Sequence, residues 1–156
     1  MIKENDVLNN QQAKIILALQ KRSYEVEASI IHNREIPPLQ ETLLQLQQSK
    51  EIFLGYYIEE TLAGVISFKV LGKELDIYRL FIDPVHFKKG IAQKLLAFVE
   101  MNYSVTKLVV STASKNIPAI RLYQKEGFVE VRTTKINDEL TLVHLEKVIE
   151  DGTLPL

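Results

Sequence analysis

The chain has 156 residues, 46% hydrophobic and 25% charged, and its 19 Lys+Arg against 20 Asp+Glu leave a net charge of −1. This is enough for a single domain, residues 1–156, with a real core, and the balanced charge argues against a general nucleic-acid binder. The lack of cysteine excludes disulfides, thiolate chemistry and cysteine-type zinc sites, while the scattered His32, His86 and His144, the want of a membrane-length apolar run and the polar start Met1–Asp6 lead us to expect a cytoplasmic protein without a metal.

Met1 to Asp6 reads as a first edge strand or a ragged end. From about Asn9 to Asn33 the pattern is helical, with Ile15, Ile16 and Leu19 as an apolar stripe and Asn9 or Asn10 as cap. The stripe continues less regularly through Tyr24, Val26, Ala28, Ile30 and Ile31, so a break is expected near Ser23 to Ser29. Pro37-Pro38 ends the segment. Leu39 to Gln48 reads as a second helix with Leu39, Leu43, Leu46 and Leu44 as inward candidates.

The period then changes. Ile52–Ile58, Ala63–Leu71 and Glu74–Ile82 read as strands joined by the turns Glu59-Glu60-Thr61 and Gly72-Lys73, an antiparallel meander. Asp83-Pro84 stops the third strand, because proline cannot donate the next ladder bond. Lys88-Lys89-Gly90 is a basic turn into a helix that puts Ala92, Leu95, Leu96, Val99 and Tyr103 on one face. Lys107–Thr112 follows as a strand reached through a helix, hence parallel to its predecessor. Asn116 caps a further helix with Pro118 in its first turn, and Gly127 ends it, with Phe128 packing back. Phe128–Ile136 and Leu140–Val148 form a closing hairpin, and the tail from Glu150 to Leu156 looks loose. The fold class is α/β, with a mostly antiparallel sheet and one parallel crossover.

The strand, glycine turn and helix start at Arg79 to Leu96 make an anion site, since free backbone N–H groups collect beside two lysines. It is not a Walker A loop, because no Gly-Lys-Ser/Thr follows. The dinucleotide fingerprint is also missing, because Gly90-x-Ala92 has no third glycine.

Phe87-Lys88-Lys89-Gly90-Ile91-Ala92 resembles the Gln/Arg-x-x-Gly-x-Gly/Ala motif of the GNAT superfamily of N-acetyltransferases. Phe87 departs from it, whereas Gly90 and Ala92 fit. Asn116…Ala119…Leu122-Tyr123…Gly127-Phe128 is similar to that family's second motif, and the order of elements agrees over nearly the whole chain. The resemblance implies a GNAT fold: a mixed, mostly antiparallel twisted sheet of about six to seven strands flanked by about four helices. It implies acetyl-CoA as cofactor, with the pyrophosphate on Phe87, Lys88, Lys89, Gly90, Ile91, Ala92 and Gln93. The pantetheine arm would pair with Leu80, Phe81 and Ile82, and Asn116, Ala119 and Tyr123 would meet it from the far side. Asn116 has its capping role as the alternative.

The implied reaction is direct attack of a primary amine on the thioester in a ternary complex, the oxyanion held by a backbone N–H of the Leu80–Ile82 strand. Tyr123 is the expected proton donor, since a phenol of pKa about 10 beside a CoA thiol of about 8.5 is a workable pair. Asp76 is the leading base, because strand alternation puts it and Tyr78 on one face with Leu80 and Ile82; Glu74 or a water is the alternative. Tyr24, Glu27 and Tyr56 are candidates for the acceptor pocket, which would take a small-molecule or peptide amine. Homodimers are frequent in the family. The rival reading is a GNAT-like module that binds acyl-CoA without turnover.

Overall fold

A computed structural model describes residues 1–32 and 35–149; the tail read as loose lies outside the described residues. Seven strands, β1 (Ile2–Asn5), β2 (Ile52–Ile58), β3 (Thr61–Leu71), β4 (Glu74–Ile82), β5 (Lys107–Ala113), β6 (Val129–Lys135) and β7 (Thr141–Val148), form one sheet in the order β1-β2-β3-β4-β5-β7-β6. Only β4 and β5 run parallel. Five helices accompany them: α1 (Asn10–Ile31), α2 (Pro37–Gln40), α3 (Leu43–Gln47), α4 (Ile91–Asn102) and α5 (Ile117–Lys125).

The break expected inside α1 does not occur. Asn9 Oδ1 accepts from the Gln12 N–H at 3.0 Å, and the helix runs unbroken to Ile31. Tyr24, Ala28 and Ile31 keep the helical spacing and pack in one cluster with Ile36 and Ala113, so the irregular residues between them do not matter. The segment read as one helix from Leu39 to Gln48 is two. Pro37 opens α2 rather than closing the preceding segment. Thr42 then interrupts and restarts the chain through a capping box with Gln45, both of its bonds being made at 3.2 and 2.9 Å. Leu46 points inward, but Leu44 is exposed.

Phe53, Val65 and Phe81 pack under α1 and α3 on one face of the sheet. Leu54, Ile66, Phe68, Leu75, Ile77, Leu108 and Val110 pack with α4 and α5 residues on the other. The decisive irregularity is in β4. Ser67 of β3 faces Arg79 while Phe68 faces Ile77, so Tyr78 is an extra residue, a β-bulge. The bulge inverts the alternation beyond it. Leu80 and Ile82 join Leu75 and Ile77 against the α4 core, and Arg79 and Phe81 turn to the α1 face. Asp76, opposite Lys69, is therefore not on the face of Leu80 and Ile82, contrary to simple alternation.

The bulge also ends the parallel ladder. Glu74–Ile77 pair with Lys107–Val110, and from there the strands part; Ser111–Ala113 pair with β7 alone.

Candidate active site

Where β4 and β5 part lies a cavity of about 690 Å³. Its walls are Tyr78–Ile82 on one side and Val110–Ala113 on the other. The start of α4 closes one end, and Asn116, Ala119 and Tyr123 of α5 and Tyr24 and Glu27 of α1 complete it. Leu80, Phe81, Ile82, Phe87, Lys88, Lys89, Gly90, Ile91, Ala92 and Gln93 all line this one cavity.

At the α4 end the backbone is shaped for an anion. Lys88 and Gly90 take left-handed conformations (φ 64° and 75°), and Gly90 caps α4 without any side chain on the first N–H groups. The first bond at this end of the helix is Lys94 N–H to Gly90 C=O at 3.1 Å, which leaves the N–H groups of Ile91, Ala92 and Gln93 for a ligand. A Cβ on Gly90 would meet only Gln93 Oε1, at 3.4 Å, so conformation rather than space calls for glycine. Lys89 Nζ lies 3.1 Å from His86 Nδ1 at the same end. These groups fit a pyrophosphate. The β4 edge left unpaired by β5 fits the amides of a pantetheine arm.

Tyr123 is held from both ends of α5. Asn116 Oδ1 accepts from the Ala119 N–H at 3.3 Å, Gly127 turns the chain at φ 97°, and the Phe128 N–H returns to the Tyr123 carbonyl at 2.9 Å. The Phe128 ring stands edge-on to the Tyr123 ring, centroids 5.3 Å apart. Burial pushes the Tyr123 phenol well above its ordinary range, and the charge of Glu27 adds to this. It therefore keeps its proton at neutral pH and presents a donor.

Glu27 accepts a hydrogen bond from Asn116 Nδ2 at 2.5 Å. Burial raises its pKa and this bond partly offsets the rise. The Tyr24 ring meets Phe81 at 5.8 Å; burial, then the charge of Glu27, pushes its phenol up. Asn116 thus fills its capping role and holds Glu27 at once.

Two expected residues are elsewhere. Asp76 does not line the cavity. It lies below the parting of the strands, where burial and then Glu74 raise its pKa against the pull of Lys69. Tyr56 packs on the α4 face with Leu54, its hydroxyl 3.4 Å from Lys94 Nζ, because β2 sends Phe53 to the other face. Sequence reading also missed Arg79 as a hub. Nε, Nη1 and Nη2 donate to Glu51, Glu41 and Gln20, so the residue after the bulge is tied to the residue before β2, the α2–α3 link and α1. Ser111 was missed as well. It lines the cavity and sits 2.6 Å from His144 Nδ1, and the alternation of β5 around buried Val110 was the signal for it. Among the described residues no group of three His, Asp or Glu could hold a metal ion, and no helix is long and apolar enough to cross a membrane.

Residues 21–149 match the family model described as an acetyltransferase (GNAT) domain. The Bacillus subtilis protein YqkA is 41% identical over 131 residues, covering 83% of this chain; the chain spans 38% of that relative's length. The ribosomal-protein-S18-alanine N-acetyltransferase of Escherichia coli superposes with a TM-score of 0.73 at 15% identity, over 100% of both chains. The PaiA N-acetyltransferase of Thermoplasma acidophilum, solved with coenzyme A, gives 0.70 at 20% identity, over 95% of this chain and 99% of that one. Such low identities establish the fold, while the family model, matched over most of the chain, establishes kinship: the chain belongs to the GNAT family of acetyltransferases.

Proposed function

We propose that this domain transfers the acetyl group of acetyl-CoA to a primary amine, small-molecule or peptide, by direct attack in a ternary complex. One observation carries the reading. The unpaired edge of β4, the uncapped start of α4 and the protonated Tyr123 all border one cavity. Acetyl-CoA, when bound, supplies the thioester carbon and the thiolate leaving group. The N–H groups of Ile91 to Gln93 bind the diphosphate with the helix dipole behind them, and Lys88 and Lys89 add charge. Leu80 to Ile82 orient the amide arm, and Asn116, Ala119 and the apolar walls shield the reacting end from water. Tyr123 holds a proton at its phenolic oxygen for the departing sulfur.

The test is release of free thiol from acetyl-CoA with a panel of amines: spermidine, tyramine, lysine and an alanine-first peptide. The last is included because one structural relative is named for acting on an alanine of a ribosomal protein. Amine-dependent thiol release supports the reading. Tight acetyl-CoA binding without release for any amine favours a sensor.

A further inference from the structure

The cleft holds one carboxylate next to Tyr123. Glu27 projects from near the C-terminal end of α1, lines the cavity with Tyr24, Tyr78 and Tyr123, and accepts from Asn116 Nδ2 at 2.5 Å. The orientation of Asn116 is fixed by its other duty. Its Oδ1 takes the Ala119 N–H at the start of α5, so only Nδ2 remains to meet Glu27 Oε1. Among the described residues no other group donates to Glu27, which leaves Oε2 for a ligand.

We infer that Glu27, rather than Asp76, takes the proton from the attacking nitrogen, and that Asn116 is the positioning residue that holds it there; this rests on the acetyl-transfer reading above. The neutral amine forms the C–N bond to the acetyl carbon as the C–S bond breaks, and that bond's electron pair stays on sulfur. The proton shed by nitrogen goes to Glu27, and the Tyr123 proton goes to sulfur. Return of the proton from Glu27 to the Tyr123 oxygen restores both groups, so amine and thioester leave as amide and thiol.

The surroundings favour this division. Tyr24 on its own helix and Tyr123 on α5 feel the charge of Glu27; Tyr78 and Arg79 on β4 line the same cavity, and His86, Lys88 and Lys89 stand at the anion end. Arg79 is already committed to Glu41 and Glu51, so it does not neutralise Glu27. Burial weakens the acid and makes its anion a stronger base at neutral pH. The two proton transfers are also coupled in the useful order. The charge of Glu27 helps to hold the proton on Tyr123, so protonating Glu27 loosens that proton as the sulfur departs. Asp76 has no such partner and is not in the cavity.

The test uses Glu27→Gln, which keeps an acceptor for Asn116 and so preserves the packing. Its melting temperature and acetyl-CoA affinity should match wild type. With the best amine of the panel its kcat/KM should fall by roughly 10²–10⁴-fold. The acid limb of the pH profile, where wild-type activity rises as Glu27 ionises, should vanish. Glu27→Asp should recover part of the rate. Wild-type kcat/KM with an unchanged acid limb in Glu27→Gln overturns the inference. No thiol release by wild type with any amine overturns the acetyl-transfer reading instead. The two failures are separated by ¹³C NMR of the carboxyl groups in the ligand-free protein. A Glu27 signal titrating above the ordinary carboxylate range is expected, and one titrating within it overturns the assignment of Glu27 as base whether or not the amines react.

Discussion

Replacing Arg79 by Met should be strongly destabilising. The five N–H donors of Arg79 are all used. Nε and Nη2 reach Glu51 at 2.8 and 3.1 Å, Nη2 also reaches Glu41 at 3.0 Å, and Nη1 bonds Glu41 and, at 2.9 Å, Gln20. Burial opposes its charge, but the hydrogen bonds and charges of Glu51 and Glu41 outweigh burial and hold the pKa above its ordinary value. The side chains of Arg79, Glu41 and Glu51 are 11%, 16% and 6% exposed, so the rule for buried pairs applies rather than that for surface pairs. Met removes the guanidinium that sits 5.1 Å over the Phe53 ring and strands two carboxylates, at a cost of about 3–5 kcal/mol. A domain of 156 residues unfolds with an entropy near 0.33 kcal/mol/K, so the melting temperature should drop by about 9–15 °C. Thermal and urea unfolding followed by circular dichroism measure both numbers. Adding Glu41→Gln and Glu51→Gln to Arg79→Met should recover most of the loss. A single variant within about 1 kcal/mol of wild type would refute the claim that this network locks the bulge.

Three further outcomes are expected. Tyr123→Phe should lower kcat more than it raises KM for acetyl-CoA, and steady-state thiol release with wild-type kcat would remove Tyr123 from the chemistry. Gly90→Glu forces a side chain into a left-handed turn and sets a negative charge against the anion end. Acetyl-CoA binding by calorimetry should be abolished, and unchanged affinity would mean the anion site is elsewhere. Asp76→Asn should change kcat/KM by less than about 3-fold, far below the cost of losing a general base. Because the folded protein raises the Asp76 pKa, the charged form is the disfavoured one. Its stability contribution is present at acid pH and lost as pH rises through the folded pKa, so the Asn variant should melt no lower than wild type at neutral pH. A lower neutral-pH melting temperature would contradict that sign.

The periodicity of β2 to β5 and of α4 was readable because each buries a stripe or face; β2 and β4 lie within the bounds read from sequence. The anion turn was legible because Gly90 stands with two lysines before a helix and with the second motif at Asn116–Phe128; a lone glycine between a strand and a helix is more often a steric device. What sequence could not carry is the bulge at Tyr78. Alternation was assumed to run through it, and the extra residue sent Leu80 and Ile82 to the α4 face and left Asp76 outside the cavity. Glu27 was named only as a candidate for the acceptor pocket, and its pairing with Asn116 was hidden for the opposite reason. Nothing in its neighbours marks it, and its value comes from Asn116, 89 positions away, whose capping bond turns the amide towards it. The two short helices α2 and α3 were merged because leucine spacing continues across Thr42, while the capping box that separates them is a matter of backbone bonds.

The short parallel ladder between β4 and β5 has a mechanical consequence. Four residue pairs join a half-sheet of β1 to β4 to a half-sheet of β5, β7 and β6, and beyond them the seam is open. One apolar cluster beneath α4 bridges the halves from behind, so the joint resembles a book with an intact spine. A ligand that lays its amides along β4 and anchors on α4 and α5 acts as a splint across the open pages. Amide hydrogen exchange at Leu80–Ile82 and Ser111–Ala113 should then slow together when acetyl-CoA is added, ahead of any change in β1 or β2.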